Sequence, residues 1–399
     1  MSPLPPSPSG VGDYSADLLP EVARLAPTVA FTTDTEWRPA EPVEGLDVRP
    51  HTELEDALQA DPDLVPVYHQ ANNPWHTFVY DLADRIPGVL VLHDVVLHHL
   101  LLDRSERSGD WPPYRALLDE QYGELAKEVY DLRRARIATE LDKFVFPMSG
   151  PIARRNHLVV VHSRHGAGIV GMEAPEVPVR IIPHHAGQPP PAMLSPAAVR
   201  ERLGLPPEAV LIGSFGYITY PKQGHVLLEA FADLIQGGDE AYLVFVGGDQ
   251  RGGEMRREAE RHGVAGHVRY AGYLPRDEFY AHLGAVDLSV ALRYPSAGET
   301  SGTLSRALAL GTCIAAVRYG SFAEIPPSAC WHVPLHGDTT GALAEGLQRL
   351  VRSPGLRRAI GRAAARHAEA NLSIAGCARR YVEAARAGLA MRRAAAERV

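Results

Sequence analysis

The sequence predicts an α/β protein built from two Rossmann-like domains facing across a cleft. Three observations carry this. Short apolar runs rich in Val and Leu, each bounded by turn residues, alternate with helical stretches. Continuous rather than alternating apolar runs mark strands buried on both faces of a parallel sheet. The rhythm stops at a proline-rich break and then restarts, and at 399 residues the chain is longer than one core usually sustains.

The elements follow in order. SPSGVGDYSADLLPEVARL opens with a glycine-containing turn and continues as a helix with Leu18, Leu19, Val22 and Leu25 on one face. PTVAFTT, DLVPVYH, GVLVLHD and HLVVVHS are the expected strands of the first domain. NPWHTFVYDLADRI and the long LLDEQYGELAKEVYDLRRARIATEL read as helices between them. This β-α-β punctuation is that of a doubly wound domain, assigned to residues 1–182. VRIIPHHAGQPPPAMLSPAAVRERLGLPPEA has the proline density of a linker. The second domain, residues 183–375, runs through VLIGSFGYI, a helix from about His225, AYLVFVGG, a helix around MRREAERHG, VRYAGYL, VDLSVAL and CIAAV. Residues 376–399 form a helix rich in Ala and Arg, expected to pack back on the first domain.

Composition narrows the function. A net charge of −8 disfavours broad contact with nucleic acid or anionic membrane. No run of about 18 apolar residues is present, so no membrane insertion is expected, and the N-terminus has no signal-peptide h-region. Cys313, Cys330 and Cys377 are scattered without metal or disulfide spacing, as in a reduced cytoplasm. Basic residues are almost all Arg, with Lys127, Lys143 and Lys222 the only lysines, a bias that fits a GC-rich, actinobacterial genome.

Two stretches carry chemistry in the second half. In VDLSVALRYPSAGETSGTLSRALALG a strand ends near Arg293, a loop of small and hydroxyl residues surrounds Glu299, and a helix starts near Gly302. Unpaired amides and the dipole at that helix start favour an anion. Thr300, Ser301 and Thr303 add hydroxyls, and Gly302 permits close approach. A plain cap by Thr300 or Ser301 is the simpler reading, but a cap does not call for so many small residues. In GSFGYITYPKQGHVLLEAF, Lys222 stands just before a helix, placed to reach a pyrophosphate as a point charge.

In the first half, Gly10 and Gly12 make a glycine turn. His93 and Asp94 end a buried strand, which is a site position in an open α/β sheet, although a core histidine satisfied by backbone fits the same place. Asn72, Asn73 and Trp75 follow another strand, where they suit a sugar or cyclitol or simply cap a polar turn. His162, His165, His184 and His185 have no metal-ligand spacing and read as structural.

With YPKQG, YAGYLPRDEFYAHLGAVDLSV and GETSGTLSRALALG in this order, the chain resembles the retaining glycosyltransferases of the GT-B fold usually called family 4. The resemblance covers most of the chain and is strongest over residues 210–320. It implies a metal-independent transfer of a sugar from a nucleoside diphosphate sugar, UDP or GDP type, to a small hydroxylated acceptor. That donor serves as co-substrate, and no other cofactor is implied. Lys222 then grips the donor pyrophosphate, Glu299 contacts the donor sugar, and amides near Thr300, Ser301, Gly302 and Thr303 hold phosphate. The base lies near Tyr273 and Leu274, His93 shapes the reacting centre, and the Gly10–Gly12 turn approaches the donor. Tyr14, Asn72, Asn73, Trp75 and Asp94 fall to the acceptor.

The chain also departs from the family pattern. The second Glu of the E-x7-E pair is Ala307, or Arg306 when the helix is aligned instead. The Arg expected six residues before the Lys is replaced by Gly216. Arg293 or Arg306 is the candidate to restore that charge. A GT-B epimerase or pseudo-glycosyltransferase, and a non-catalytic nucleotide-sugar-binding partner subunit, are the alternatives.

Overall fold

A computed structural model describes residues 1–397. The chain divides into two compact units. Unit 1 comprises Met1–His185, Ala297–Thr300 and the chain from Ile374 onward, and unit 2 comprises Ala186–Ser296 and Ser301–Ser373. The sequence placed the divisions at 182/183 and 375/376. It gave no sign that the loop Ala297–Thr300 packs with the first unit.

Unit 1 contains β1 (Thr28–Thr32), β2 (Leu46–Pro50), β3 (Val67–Gln70), β4 (Val89–Leu92), β5 (Leu158–Val161) and β6 (Val179–Ile181). β1 pairs with β2, and β3-β4-β5-β6 form one parallel sheet in that order. The runs VLVL and LVVV of β4 and β5 are buried at every position because both faces are covered. One face packs Leu90, Leu92, Val159 and Val161 against Val79 and Leu82. The other packs Val89, Val91, Leu158 and Val160 against Leu18 of helix Gly10–Ala23 and Ala378 and Tyr381 of helix Ile374–Ala396. The terminal helix therefore belongs to unit 1.

The stretch expected as one long helix is two, Pro112–Tyr122 and Leu125–Arg134. Gly123, at φ 55°, ends the first of them. An L-residue rarely holds that conformation, so the break is written in the glycine.

Unit 2 contains β7 (Val210–Phe215), β8 (Ala241–Val246), β9 (Val268–Gly272), β10 (Leu288–Ala291), β11 (Cys313–Val317) and β12 (Trp331–Val333). They form one parallel sheet in the order β12-β11-β10-β7-β8-β9. From β7 the chain winds outward through β8 and β9, then restarts on the other side at β10. The carboxyl ends of β7 and β10 therefore flank the topological switch point, where open α/β sheets bind ligands. Helix Gly302–Leu310 follows β10. Ser301 caps it, with Leu304 N–H donating to Ser301 Oγ at 3.3 Å, and Gly311 closes it in the left-handed conformation. No helix among the described residues is long and apolar enough to cross a membrane.

Candidate functional site

The switch point of unit 2 holds a recess lined by Ser214 and Phe215 of β7, Lys222, Arg293 just past β10, and Ser301 and Thr303 at the start of helix Gly302–Leu310. Lys222 Nζ donates to the carbonyl oxygen of Phe215 at 2.7 Å. Gly216 makes this possible. Its φ is 87°, and a Cβ there would stand 2.2 Å from Lys222 Nζ. Gly247, past β8, is equally constrained, because its Cβ would meet Gly216 O at 2.2 Å. An ammonium, a guanidinium, hydroxyl side chains and the amides of a helix start thus border one recess, which suits a phosphate-bearing ligand.

Several expected donor contacts lie elsewhere in unit 2. Arg306 points its guanidinium over the Tyr280 ring, 5.5 Å from its centroid, and does not line the recess. Its helical position turns it toward helix Arg276–Ala285. Leu274 packs against the core. Tyr273 is 68% exposed and stacks on Tyr217, itself half-exposed, at 6.2 Å.

In unit 1, Val95 and Val96 both donate their N–H to Ala297 O, at 2.9 and 3.0 Å. Gly298, at φ 74°, comes so close that a Cβ would meet Val95 Cγ2 at 2.0 Å. These contacts bury Glu299 to 9% exposure. The neighbouring Thr300 Oγ1 is buried with no hydrogen-bond partner among the described residues. The cap role falls to Ser301, leaving Thr300 as a spare polar atom.

His93 sits in a row that reasoning along the chain missed. His69 is the next-to-last residue of β3, His93 follows β4 and His162 follows β5. His162 Nδ1 lies 2.8 Å from Ile182 O, His162 Nε2 lies 3.0 Å from His93 Nδ1, and His93 Nε2 lies 3.0 Å from His69 Nδ1. A carbonyl only accepts, so His162 Nδ1 carries the proton and its Nε2 accepts from His93 Nδ1–H. The same logic makes His69 Nδ1 the donor to His93 Nε2. Burial keeps the row neutral: it lowers His162 to about 4 and holds His69 and His93 well below the usual histidine range, with neighbouring histidines adding to the effect. Both ring nitrogens of His93 are thus spent on histidines. The role expected of His93 at the reacting centre therefore has no ring nitrogen left to make a hydrogen bond with a ligand.

The expected acceptor residues are mostly structural. Tyr14 is fully buried, bonded through its hydroxyl to Tyr381 at 3.0 Å and stacked on His185 with 4.0 Å between centroids. It is a core residue and not a contact for an acceptor. Asn72 accepts from Leu100 N–H at 2.8 Å and meets His99 Nδ1 at 2.9 Å, while its own N–H donates to Asp94 Oδ2 at 2.9 Å. Asn73 Oδ1 accepts from Trp75 N–H at 3.2 Å, capping the turn Pro74–His76. Trp75 is half-exposed. Gly10 begins its helix with open space around it, whereas a Cβ at Gly12 would stand 3.3 Å from Pro3 O. Asn72 also lines a polar cavity of about 260 Å³ with His99, Asp103, Arg107 and Lys143. Among the described residues, no group of three or more His, Cys, Asp or Glu is placed to hold a metal.

The histidine row had a signal in the sequence: VYH, VLH, VVH and IPHH each put a histidine at the end of an apolar run. The lateral order of the strands, which one chain does not reveal, turns those four endings into neighbours.

Residues 197–367 match the family model described as Glycosyl transferases group 1. Among curated proteins, the chain is 31% identical over 183 residues to a D-inositol 3-phosphate glycosyltransferase of Streptomyces bingchenggensis, covering 43% of this chain and 40% of the relative. It is 30% identical over 138 residues to a 2-deoxystreptamine glucosyltransferase of Streptomyces kanamyceticus, covering 33% of this chain and 35% of that one. The chain thus spans about two fifths of the length of the curated relatives it matches. Solved structures extend the likeness to nearly the whole fold. Sucrose-phosphate synthase from Thermosynechococcus elongatus has a TM-score of 0.64 at 16% identity, over 94% of this chain and 92% of that one. Anabaena Alr3699/HepE in complex with UDP-glucose has a TM-score of 0.64 at 14% identity, over 95% and 96%. The fold they share with this chain is GT-B.

Proposed function

We propose, from the premise that residues 197–367 form a glycosyl transferases group 1 domain, that the chain is a retaining, metal-independent glycosyltransferase. It moves a sugar from a UDP- or GDP-type donor to a small hydroxylated acceptor of the cyclitol class. The observation that carries this reading is the recess at the β7–β10 switch point, bordered by Lys222, Arg293 and the start of helix Gly302–Leu310. The names of the curated relatives, an inositol phosphate and a deoxystreptamine glycosyltransferase, support the acceptor class.

In this reading the leaving diphosphate is the group whose negative charge grows as the glycosidic bond breaks. Lys222 and the helix-start amides stabilise that charge, and their cost of organisation is already met by the fold. Thr303 and Ser301 add donors at the same recess. Glu299 accepts from hydroxyls of the donor sugar, and Thr300 Oγ1 supplies a further hydroxyl beside it. Arg293 takes over charge that the family places at other positions. The reaction belongs to the cytoplasm, where nucleotide sugars are made and spent.

The test is a transfer assay. The protein is incubated with UDP- and GDP-sugars and with inositol, inositol 3-phosphate and 2-deoxystreptamine, and the products are read by mass. A new acceptor mass increased by one hexosyl unit, with the anomeric configuration of the donor kept by NMR, supports the reading. Conversion of a donor alone would establish the epimerase alternative instead. Nucleotide binding without turnover on any acceptor would point to a binding subunit.

A further inference from the structure

Past the carboxyl ends of β3 and β4, unit 1 holds a polar cavity of about 260 Å³, lined by Asn72, His99, Asp103, Glu106, Arg107 and Lys143. It is smaller than the ~300–1,000 Å³ of a drug-sized site, so it suits a single small ring. His99, Asp103, Glu106 and Arg107 stand on one face of helix His98–Ser108. Glu299 belongs to the same unit, and its carboxylate is near enough to act on the His99 ring.

The tautomer of His99 is fixed by its neighbour. Asn72 Oδ1 accepts from Leu100 N–H at 2.8 Å, so the other end of the amide, Nδ2, is the atom that meets His99 Nδ1 at 2.9 Å. The Leu100 bond alone would be ordinary service to a helix-start amide; the second bond does more. An amide nitrogen only donates, so His99 Nδ1 accepts and the neutral ring carries its proton on Nε2. Burial lowers His99 to about 4, with Lys143 adding to the effect, which keeps the ring neutral. Phe144 meets the ring edge-on, with 5.0 Å between centroids. Among the described residues, His99 Nε2 makes no hydrogen bond.

The charges at the cavity do not all cancel. Arg107 Nε pairs with Asp103 at 2.9 Å, and Lys143 Nζ pairs with Glu140 at 2.8 Å. Glu106 makes no ion pair among the described residues. With both cations matched, the uncompensated charge is one carboxylate. A phosphate would face that carboxylate and would have to draw a cation from its partner, whereas an ammonium complements it.

Resting on the reading of the chain as a glycosyltransferase that acts on a cyclitol, we propose that this cavity is the acceptor site and that it selects an aminocyclitol, which carries an ammonium group as well as ring hydroxyls. Glu106 determines that specificity by taking the ammonium. His99 donates its Nε2–H to a ring hydroxyl. Asn72 is a positioning residue that acts by setting the His99 tautomer.

The test is calorimetric titration of 2-deoxystreptamine, inositol and inositol 3-phosphate into the full chain, with UDP or GDP present, for wild type and Glu106→Gln. 2-Deoxystreptamine is expected to bind tightest and inositol 3-phosphate weakest. Glu106→Gln is expected to weaken 2-deoxystreptamine at least ~3-fold, the scale of one exposed ion pair, and to leave inositol unchanged. Inositol 3-phosphate binding tighter than 2-deoxystreptamine, or equal 2-deoxystreptamine binding to the two proteins, would overturn the proposal. Imidazole nitrogen NMR gives a second readout. At neutral pH His99 is expected to carry its proton on Nε2 in wild type and on Nδ1 in Asn72→Asp, whose carboxylate accepts there. A wild-type proton on Nδ1 removes the role given to Asn72 and His99. Titration of the nucleotides alone separates the two readings. Binding of UDP or GDP without binding of 2-deoxystreptamine sinks this inference alone, and binding of neither nucleotide sinks the glycosyltransferase reading beneath it.

Discussion

Lys222 Nζ donates a 2.7 Å hydrogen bond to the carbonyl oxygen of Phe215, the last residue of β7. The ammonium is thereby held at the carboxyl edge of the sheet, over a glycine that leaves it room. Gly216→Ala places a methyl where Nζ now lies and strains a backbone at φ 87°. The variant is expected to fold, to lose at least ~10-fold in affinity for the nucleoside diphosphate, and to keep far-UV circular dichroism unchanged. That loss corresponds to about 1.4 kcal/mol, within the range of one charge-assisted hydrogen bond. Calorimetric titration of wild type and variant checks it.

The histidine row predicts a stability effect at a residue without a donor-site role. His162→Ala leaves the buried His93 Nδ1–H without its acceptor. A buried unsatisfied donor costs about 1–3 kcal/mol, to which the lost packing adds. Urea unfolding at neutral pH should show the drop in midpoint. An unchanged midpoint would mean that the row contributes nothing to stability.

Stability should also depend on pH with a definite sign. Burial lowers His76 and His162 to about 4 and His98 to about 3. In the unfolded chain these groups titrate near 6.5. The unfolded state therefore binds more protons between those values, and stability is present above pH 6.5 and lost as pH falls toward 4. Each such histidine contributes up to ~1.4 kcal/mol per pH unit in that window. Denaturant midpoints should hold from pH 7.5 to about 6.5 and fall from there to 4.5, and His162→Ala should flatten that slope.

The helix that borders the recess is held by a close approach of two backbones. Gly361, in helix Pro354–Asn371, lies where a Cβ would stand 2.1 Å from Gly311 O. Backbone cannot move aside as a side chain can, so Gly361→Ala is expected to destabilise by at least ~1–3 kcal/mol. A fall in thermal midpoint of several degrees, with nucleotide affinity reduced because the start of helix Gly302–Leu310 shifts, is the expected result.

Much of this was legible in the sequence because it rests on local patterns. VLVL and LVVV are strands at the expected places, the helix expected near Gly302 starts there, and Lys222 and Thr303 meet at one recess. What was not legible depends on partners distant in the chain. Asn72 and Asp94 looked like sugar contacts, yet Asp94 accepts from Asn72 N–H and Asn72 itself accepts from Leu100 N–H. Tyr14 was assigned to the acceptor, but its hydroxyl is bonded to that of Tyr381, more than three hundred positions away. Arg306 was a candidate for restoring a lost charge until Tyr280 was found beneath its guanidinium. His93 was singled out alone, although its two neighbours in the row decide which of its nitrogens carries a proton.

The measurement that tests the central claim most directly is calorimetric titration of UDP and GDP into wild type and Lys222→Ala. The account predicts that one of the two nucleotides binds wild type and that the variant loses at least ~10-fold in Kd, because one charge-assisted contact to phosphate is removed. Binding of neither nucleotide to wild type, or equal binding to both proteins, would contradict it.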